Sequence, residues 1–311
     1  MNDPLLTSRM ASVLERIRRA NRPPLSSLPV EQARQFYNAG AEVLDLPRAP
    51  LARVEDFLLP LGAGHAVAAR LYAVDHGHLP VLLFFHGGGF VVGSLETHDS
   101  LCRQLARHSG SAVLALDYRL APEHPFPCAV EDAWAAMAWL FRHASALGLD
   151  AGRVTVAGDS AGATLAAVCA LHARDQGWPL RGQVLITPHT AADGGMPSRQ
   201  RFGEGFLLDE RTLSWFFDKV LPSSQRTDWR FAPLEAVDLD GVAPACLVLA
   251  ECDPLVDEGL AYADRLRWAN VPVDLELVRG VTHEFVKMGR LLPEAVAAQM
   301  HVAQAVRQWC A

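Results

Sequence analysis

No run of lysine or arginine occurs anywhere in the 311-residue chain, and its 28 basic residues are outnumbered by 35 acidic ones, giving a net charge of −7. Without a concentrated positive patch there is no electrostatic footprint for nucleic acid and no pull toward an anionic membrane. Long apolar runs are missing too. The longest wholly aliphatic and aromatic stretches, such as Val81 to Phe85, have the length of a core strand, far short of the roughly 20 residues a membrane span needs. The first residues, MNDPLLTSRMASVLERIRRA, carry Asp3 early, charges throughout and no apolar h-region. A secretory signal is therefore not expected, and a cytoplasmic chain is. Six cysteines at 102, 128, 169, 246, 252 and 310 form no CxxC pair. Free thiols serving as packing residues are expected rather than disulfides or a zinc site, with Cys252, beside Asp253, open to modification. The chain has no internal repeat and no low-complexity tract.

What is present is a chain that is half apolar, with its hydrophobic pattern changing period along its length. Residues 1–46 show a helical period in Met10, Val13, Leu14 and Ile17, a Pro23-Pro24 break, and a second amphipathic piece around Ala33, Phe36 and Tyr37. Around Val54 to Leu59 and Val67 to Tyr72 two antiparallel edge strands are expected. Six further strands follow, at Val81–Phe85, Ala112–Asp117, Arg153–Ala157, Gly182–Thr187, Ala245–Glu251 and Val273–Leu277. Helices are expected at Leu101–His108, Ala129–His143, Ala161–Arg174, Glu258–Trp268 and Pro293–Gln308. Near-continuous apolar strands alternating with helices imply a doubly wound α/β fold, with a mostly parallel sheet of eight strands covered on both faces.

Residues 188–244 break that rhythm. They hold Phe206-Leu207-Leu208, Trp215-Phe216-Phe217, Trp229 and a hinge-like Gly194-Gly195 pair. A connection this long is expected to have a role of its own, and its aromatic load suggests a cover. The expected division is a helical cap segment at 1–46 and a core at 47–311, with 190–232 as a second cap segment.

The strongest chemical signal is Gly158-Asp159-Ser160-Ala161-Gly162, placed directly between an expected strand and an expected helix. A sharp strand-to-helix turn needs small flanking residues, and it presents the serine hydroxyl near a helix amino terminus, where negative charge is favoured. A serine that merely caps the helix is the bland reading. As a nucleophile Ser160 requires a base and an oriented acid. His283, in the turn after the last expected strand, and Asp253, after the preceding strand, complete the order Ser, Asp, His of the α/β-hydrolase arrangement. Asp257 competes for the acid role; its alternative is to cap a helix together with Glu258. The fourth element is His86-Gly87-Gly88-Gly89-Phe90, again after a strand. Backbone N–H groups of Gly88 and Gly89, with that of Ala161, are expected to form an oxyanion hole. The spacing fails both nucleotide-binding glycine patterns, and Lys287 stands where a zinc-binding H-E-x-x-H would need histidine.

Together HGGGFVVGSLETHD, LDYRLAPEHPFP, GDSAG, DPLVDEG and the late H-x-F resemble the bacterial hormone-sensitive-lipase-like esterases, a branch of the α/β-hydrolases. The resemblance runs from about residue 50 to the carboxyl terminus. It implies a serine carboxylesterase for short to medium acyl esters, with a helical cap over the pocket and no cofactor. Three departures stand out: Ala163 replaces a second glycine, Glu284 follows His283 where many relatives have glycine, and Ile186-Thr187-Pro188 replaces Tyr-Pro. Tyr118, Arg119, Glu123 and His124 are expected in a buried loop that supports the glycine motif, with Asp159 and His86 as hydrogen-bonded scaffolding. Phe90, Phe206, Leu207, Leu255 and Phe285 are expected to line the pocket, together with residues near Phe36 and Tyr37. The expected partner is a small-molecule ester, and the edge strand Val273–Leu277 is a candidate for pairing in a homodimer. A lactonase, amidase or peptidase on the same triad, or a ligand-binding receptor, are the alternatives.

Overall fold

The computed structural model describes residues 4–62, 64–192 and 195–311. Its centre is one eight-stranded sheet in the order β1-β2-β4-β3-β5-β6-β7-β8. The strands are β1 Arg53–Gly62, β2 His65–Ala73, β3 Leu79–Phe85, β4 Ala112–Asp117, β5 Leu149–Asp159, β6 Leu180–Ile186, β7 Ala245–Cys252 and β8 Val273–Thr282. As expected, β1 and β2 pair antiparallel at one edge, β2 also runs antiparallel to β4, and every later pairing is parallel.

Strand β3 explains why both faces are covered. Its side chains alternate, so Val81, Leu83 and Phe85 enter the cluster formed with helices α4 Cys128–His143 and α5 Ala161–Gln176. Leu82 and Phe84 enter the opposite cluster, formed with α3 Asp99–Ser109 and α9 Pro293–Trp309. All five are fully buried. Helix α3 stops at Gly110 and α5 at Gly177, each a glycine in the left-handed conformation that ends helices.

Two strands run further than their apolar pattern. β5 begins at Leu149, which pairs with Leu79. β8 continues past Leu277 through Arg279 and Gly280, with a register irregularity against β7. β8 is an outer strand of the sheet.

At the amino terminus, Thr7 caps α1 Ser8–Arg19 by accepting the Met10 amide at 3.1 Å, and Met10, Val13 and Leu14 bury into the α3/α9 cluster. Helix α2 Val30–Gly40 places Ala33 in the other cluster. Between β6 and β7 lie α6 Pro197–Phe202 and α7 Glu210–Val220, the latter capped by Asp209. Gly194 lies outside the described residues. Helix α8 Val256–Trp268 follows β7. Among the described residues, no helix is long and apolar enough to cross a membrane.

Two expectations need correcting. The loop after Tyr118 is only partly buried. Tyr118 is 2 % exposed, but Glu123 and His124 lie on the surface, because Glu123 keeps its charge in water and pairs there with Arg34 at 2.6 Å. Cys252 is fully buried beside Phe202, Leu249 and Val256, so it is shielded from modification rather than open to it. None of the six cysteines is in a disulfide, and five are buried.

Candidate active site

The elbow forms because two glycines let strand and helix touch. A Cβ on Gly158 would strike the Gly162 backbone, and one on Gly162 would strike the Phe85 carbonyl. Between them Ser160 is held at φ +54°, a left-handed conformation that L-residues adopt rarely, fixed by its amide donating to the Ile186 carbonyl at 2.8 Å. Helix α5 starts at the next residue, so the Ser160 hydroxyl sits at a helix amino terminus. Ala163, one of the departures, is fully buried in the first turn of α5.

β7 and β8 end beside this elbow. Asp253 follows β7, and its Oδ1 accepts the Leu255 amide at 2.9 Å. His283 follows β8. Its Nδ1 donates to Asp253 Oδ2 at 2.7 Å, which leaves Nε2 to accept from Ser160 Oγ at 3.0 Å. Both Asp253 and His283 are almost fully buried. Burial alone would lower the His283 pKa, but the Asp253 carboxylate outweighs it, with Glu284 and Asp159 adding to it, and the pKa is raised above the ordinary imidazole value. Asp257 is not in this chain of bonds: its Oδ2 accepts the Ser198 amide at 2.8 Å and so ties α6 to the start of α8.

The glycine loop folds back against the elbow. The Gly88 carbonyl accepts the amides of Val91 and Val92, at 3.0 and 2.9 Å, and a Cβ on Gly88 would strike the Val92 carbonyl. Gly89, at φ +59°, faces the ring of Phe216 on α7. Asp159 binds the loop to the elbow. Its Oδ1 accepts the Gly87 amide at 3.0 Å, and its Oδ2 meets His98 Nε2 at 3.1 Å. Burial would raise the Asp159 pKa, but His98 and Lys287 hold the carboxyl well below its usual range, so it is charged. His86 stacks on Tyr118 at 4.4 Å, and the Tyr118 hydroxyl donates to the His86 carbonyl at 2.7 Å. Burial drives the His86 pKa down to about 3, so its ring is neutral.

The residues expected to line a pocket scatter. Phe90 lines an apolar cleft with Ala121, Phe126, Val130, Val220 and Phe231. Phe206 packs on Phe202 at 5.1 Å, and Leu207 is largely on the surface. Leu255 is buried at the start of α8, and Phe285 lies wholly inside the α3/α9 cluster.

Three residues around the site escaped the sequence reading. His98, the partner of Asp159, stands in the quoted LETHD stretch, two residues after Glu96. Tyr37 was read only as near the pocket; its hydroxyl donates to Glu284 Oε1 at 2.8 Å. Lys287, excluded as a metal ligand, donates to the Tyr37 hydroxyl at 2.8 Å. Of these, His98 has a signal in its motif and Tyr37 one in the amphipathic piece of the amino-terminal segment, while Lys287 has none.

A model of the alpha/beta hydrolase fold family matches residues 82–287. The chain is 41 % identical over 293 residues to an ethyl acetate hydrolase of Pseudomonas putida, covering 92 % of each. It is 43 % identical over 262 residues to the carboxylic ester hydrolase LipN of Mycobacterium tuberculosis, covering 82 % of this chain and 70 % of that one. Among solved structures, a serine mutant of an alpha/beta hydrolase enzyme from the metagenome of Lake Arreo superposes with a TM-score of 0.94 at 36 % identity, over 98 % of this chain and 99 % of that one. The hyperthermophilic esterase of Pyrobaculum calidifontis gives 0.91 at 36 % identity, over 97 % and 98 %. The chain belongs to the hormone-sensitive-lipase-like carboxylic ester hydrolases of the α/β-hydrolase fold.

Proposed function

We propose that Ser160 is the nucleophile, His283 the general base and Asp253 the acid that orients it, in hydrolysis of short- to medium-chain carboxylic esters. The observation that carries this reading is the continuous chain of bonds from Ser160 Oγ to His283 Nε2 at 3.0 Å and from His283 Nδ1 to Asp253 Oδ2 at 2.7 Å. Ser160 Oγ adds to the ester carbonyl as its proton passes to His283 Nε2, and the carbonyl oxygen becomes an oxyanion facing the N–H groups of Gly88, Gly89 and Ala161. Collapse breaks the bond to the alcohol oxygen, which leaves with the proton from His283. Water then adds to the acyl group on Ser160, giving its proton to His283. The acid departs, and the proton returns to Ser160.

Phe90, the residue directly after the glycine loop, marks the acyl side of the site in this reading. Residues 1–46 and 190–232 act as the site's cover in the same reading: Phe216 of α7 lies against Gly89, and Arg34 of α2 donates to the Val91 carbonyl at 2.9 Å. Six cysteines outside any disulfide fit the cytoplasm, where thiols stay reduced. Rapid quenching with an activated acetate ester, followed by peptide mass analysis, tests the covalent step. An acetyl group on the peptide containing Ser160 supports it; turnover with no modified serine under burst conditions refutes it.

A further inference from the structure

Glu284 sits at φ +60°, in the left-handed region that glycine enters freely and a side chain does not. The chain nevertheless keeps a carboxylate there, next to His283. That carboxylate is held from two sides. Tyr37 on α2 donates to Oε1 at 2.8 Å, and the Lys287 ammonium lies 3.6 Å from Oε2. Lys287 also donates to the Tyr37 hydroxyl at 2.8 Å and lies over the Tyr37 ring at 5.0 Å. The Lys287 side chain is only 4 % exposed, and that of Glu284 25 %. A buried cation is costly unless it is paired, so this lysine implies an ionised partner, and Glu284 is the one in place.

Resting on the assignment of His283 as the base, we propose that Glu284 is a positioning residue for His283 and that Tyr37 and Lys287 hold it in that role, so that helix α2 takes part in the reacting site. When His283 accepts the serine proton its ring becomes positive. Asp253 balances that charge from the β7 side, Ser160 meets the ring from the elbow, and the Asp159 carboxylate adds to the negative charge around it. Glu284, in the same loop as the ring, adds negative charge, and the Lys287 ammonium 3.6 Å from its Oε2 offsets part of that charge. Burial works against the charged ring and these carboxylates work for it.

The test is the pH dependence of kcat/KM for a neutral chromogenic acetate ester, using the full chain as wild type, Glu284→Gly, Glu284→Gln and Tyr37→Phe. Glycine suits the backbone at this position, but its variant leaves the buried Lys287 ammonium without its ionised partner, so Glu284→Gln, which keeps a hydrogen-bonding side chain there, is measured beside it and circular dichroism confirms the fold of both. In both Glu284 variants the acid limb is expected to move to lower pH by about half a unit or more. Tyr37→Phe, which loosens the carboxylate without removing it, moves the limb the same way by less. Acid limbs of both Glu284 variants that coincide with wild type would overturn the proposal, and an unshifted Tyr37→Phe limb would overturn the part given to α2. Either failure leaves the assignment of Ser160 and His283 standing, because that is read separately from the loss of turnover in Ser160→Ala.

Discussion

His283 Nδ1 lies 2.7 Å from Asp253 Oδ2, while Asp257, four residues further on, gives its carboxylate to the Ser198 amide instead. The two acids that compete in the sequence therefore have separate work. Asp253→Asn is expected to lower kcat by about 10⁴-fold, because an amide at that position favours the wrong histidine tautomer. Asp257→Asn should cost less than about 10-fold, since the hydrogen bond it alters joins α6 to α8 rather than touching the imidazole. Steady-state kinetics of the two variants decides, and the reverse ranking would refute the assignment.

Activity should fail in acid, and earlier than a free imidazole would dictate. His283 must be neutral to take the Ser160 proton, and its pKa is raised, chiefly because Asp253 outweighs the effect of burial. As pH falls through that raised value the base becomes protonated and turnover stops, so the acid half-point of kcat/KM should lie above about 6.5. A half-point below that value would contradict the electrostatics described for the ring.

Much of this was legible in the sequence, for identifiable physical reasons. Strands buried on both faces read as apolar runs, so β3, β4 and β7 could be placed within a residue or two. β8 was cut short because Arg279 and Gly280 interrupt its apolar pattern, although the backbone continues to Thr282. Ser160, Asp253 and His283, which the structure joins in one chain of hydrogen bonds, each stand at a strand end, a position that order along the chain reveals. Contacts between distant segments were not. Tyr37 meets Glu284 across 247 residues, and His98 meets Asp159 across 61, pairings that no local period encodes. The exposure of Glu123 and His124 likewise depends on where the loop meets Arg34.

His98 should matter to rate through the glycine loop. With His98→Ala, Asp159 loses its buried partner at 3.1 Å, so the carboxylate that holds the Gly87 amide, and with it the loop, is less firmly fixed against the elbow. kcat is expected to fall about 10- to 100-fold with little change in KM, because the affected donors face charge that develops only in the transition state. A rise in KM at constant kcat would show that the loop serves binding rather than the oxyanion.

The elbow predicts a sharp contrast between two glycines. Gly162→Ala puts a methyl against the Phe85 carbonyl and should destabilise the fold by about 1–3 kcal/mol. Gly40→Ala, at the end of α2 with open space around it, should be neutral or stabilise by up to about 1 kcal/mol. Thermal melting of the two variants measures the difference. Equal melting temperatures would mean that the strand and helix are not in the close contact described.

The most direct measurement is turnover of a chromogenic short-chain ester by Ser160→Ala beside the wild type. The hydroxyl removed is the one that His283 Nε2 meets at 3.0 Å, so the account predicts a loss of several orders of magnitude in kcat with the fold intact by circular dichroism. Turnover comparable to wild type in that variant would contradict the account.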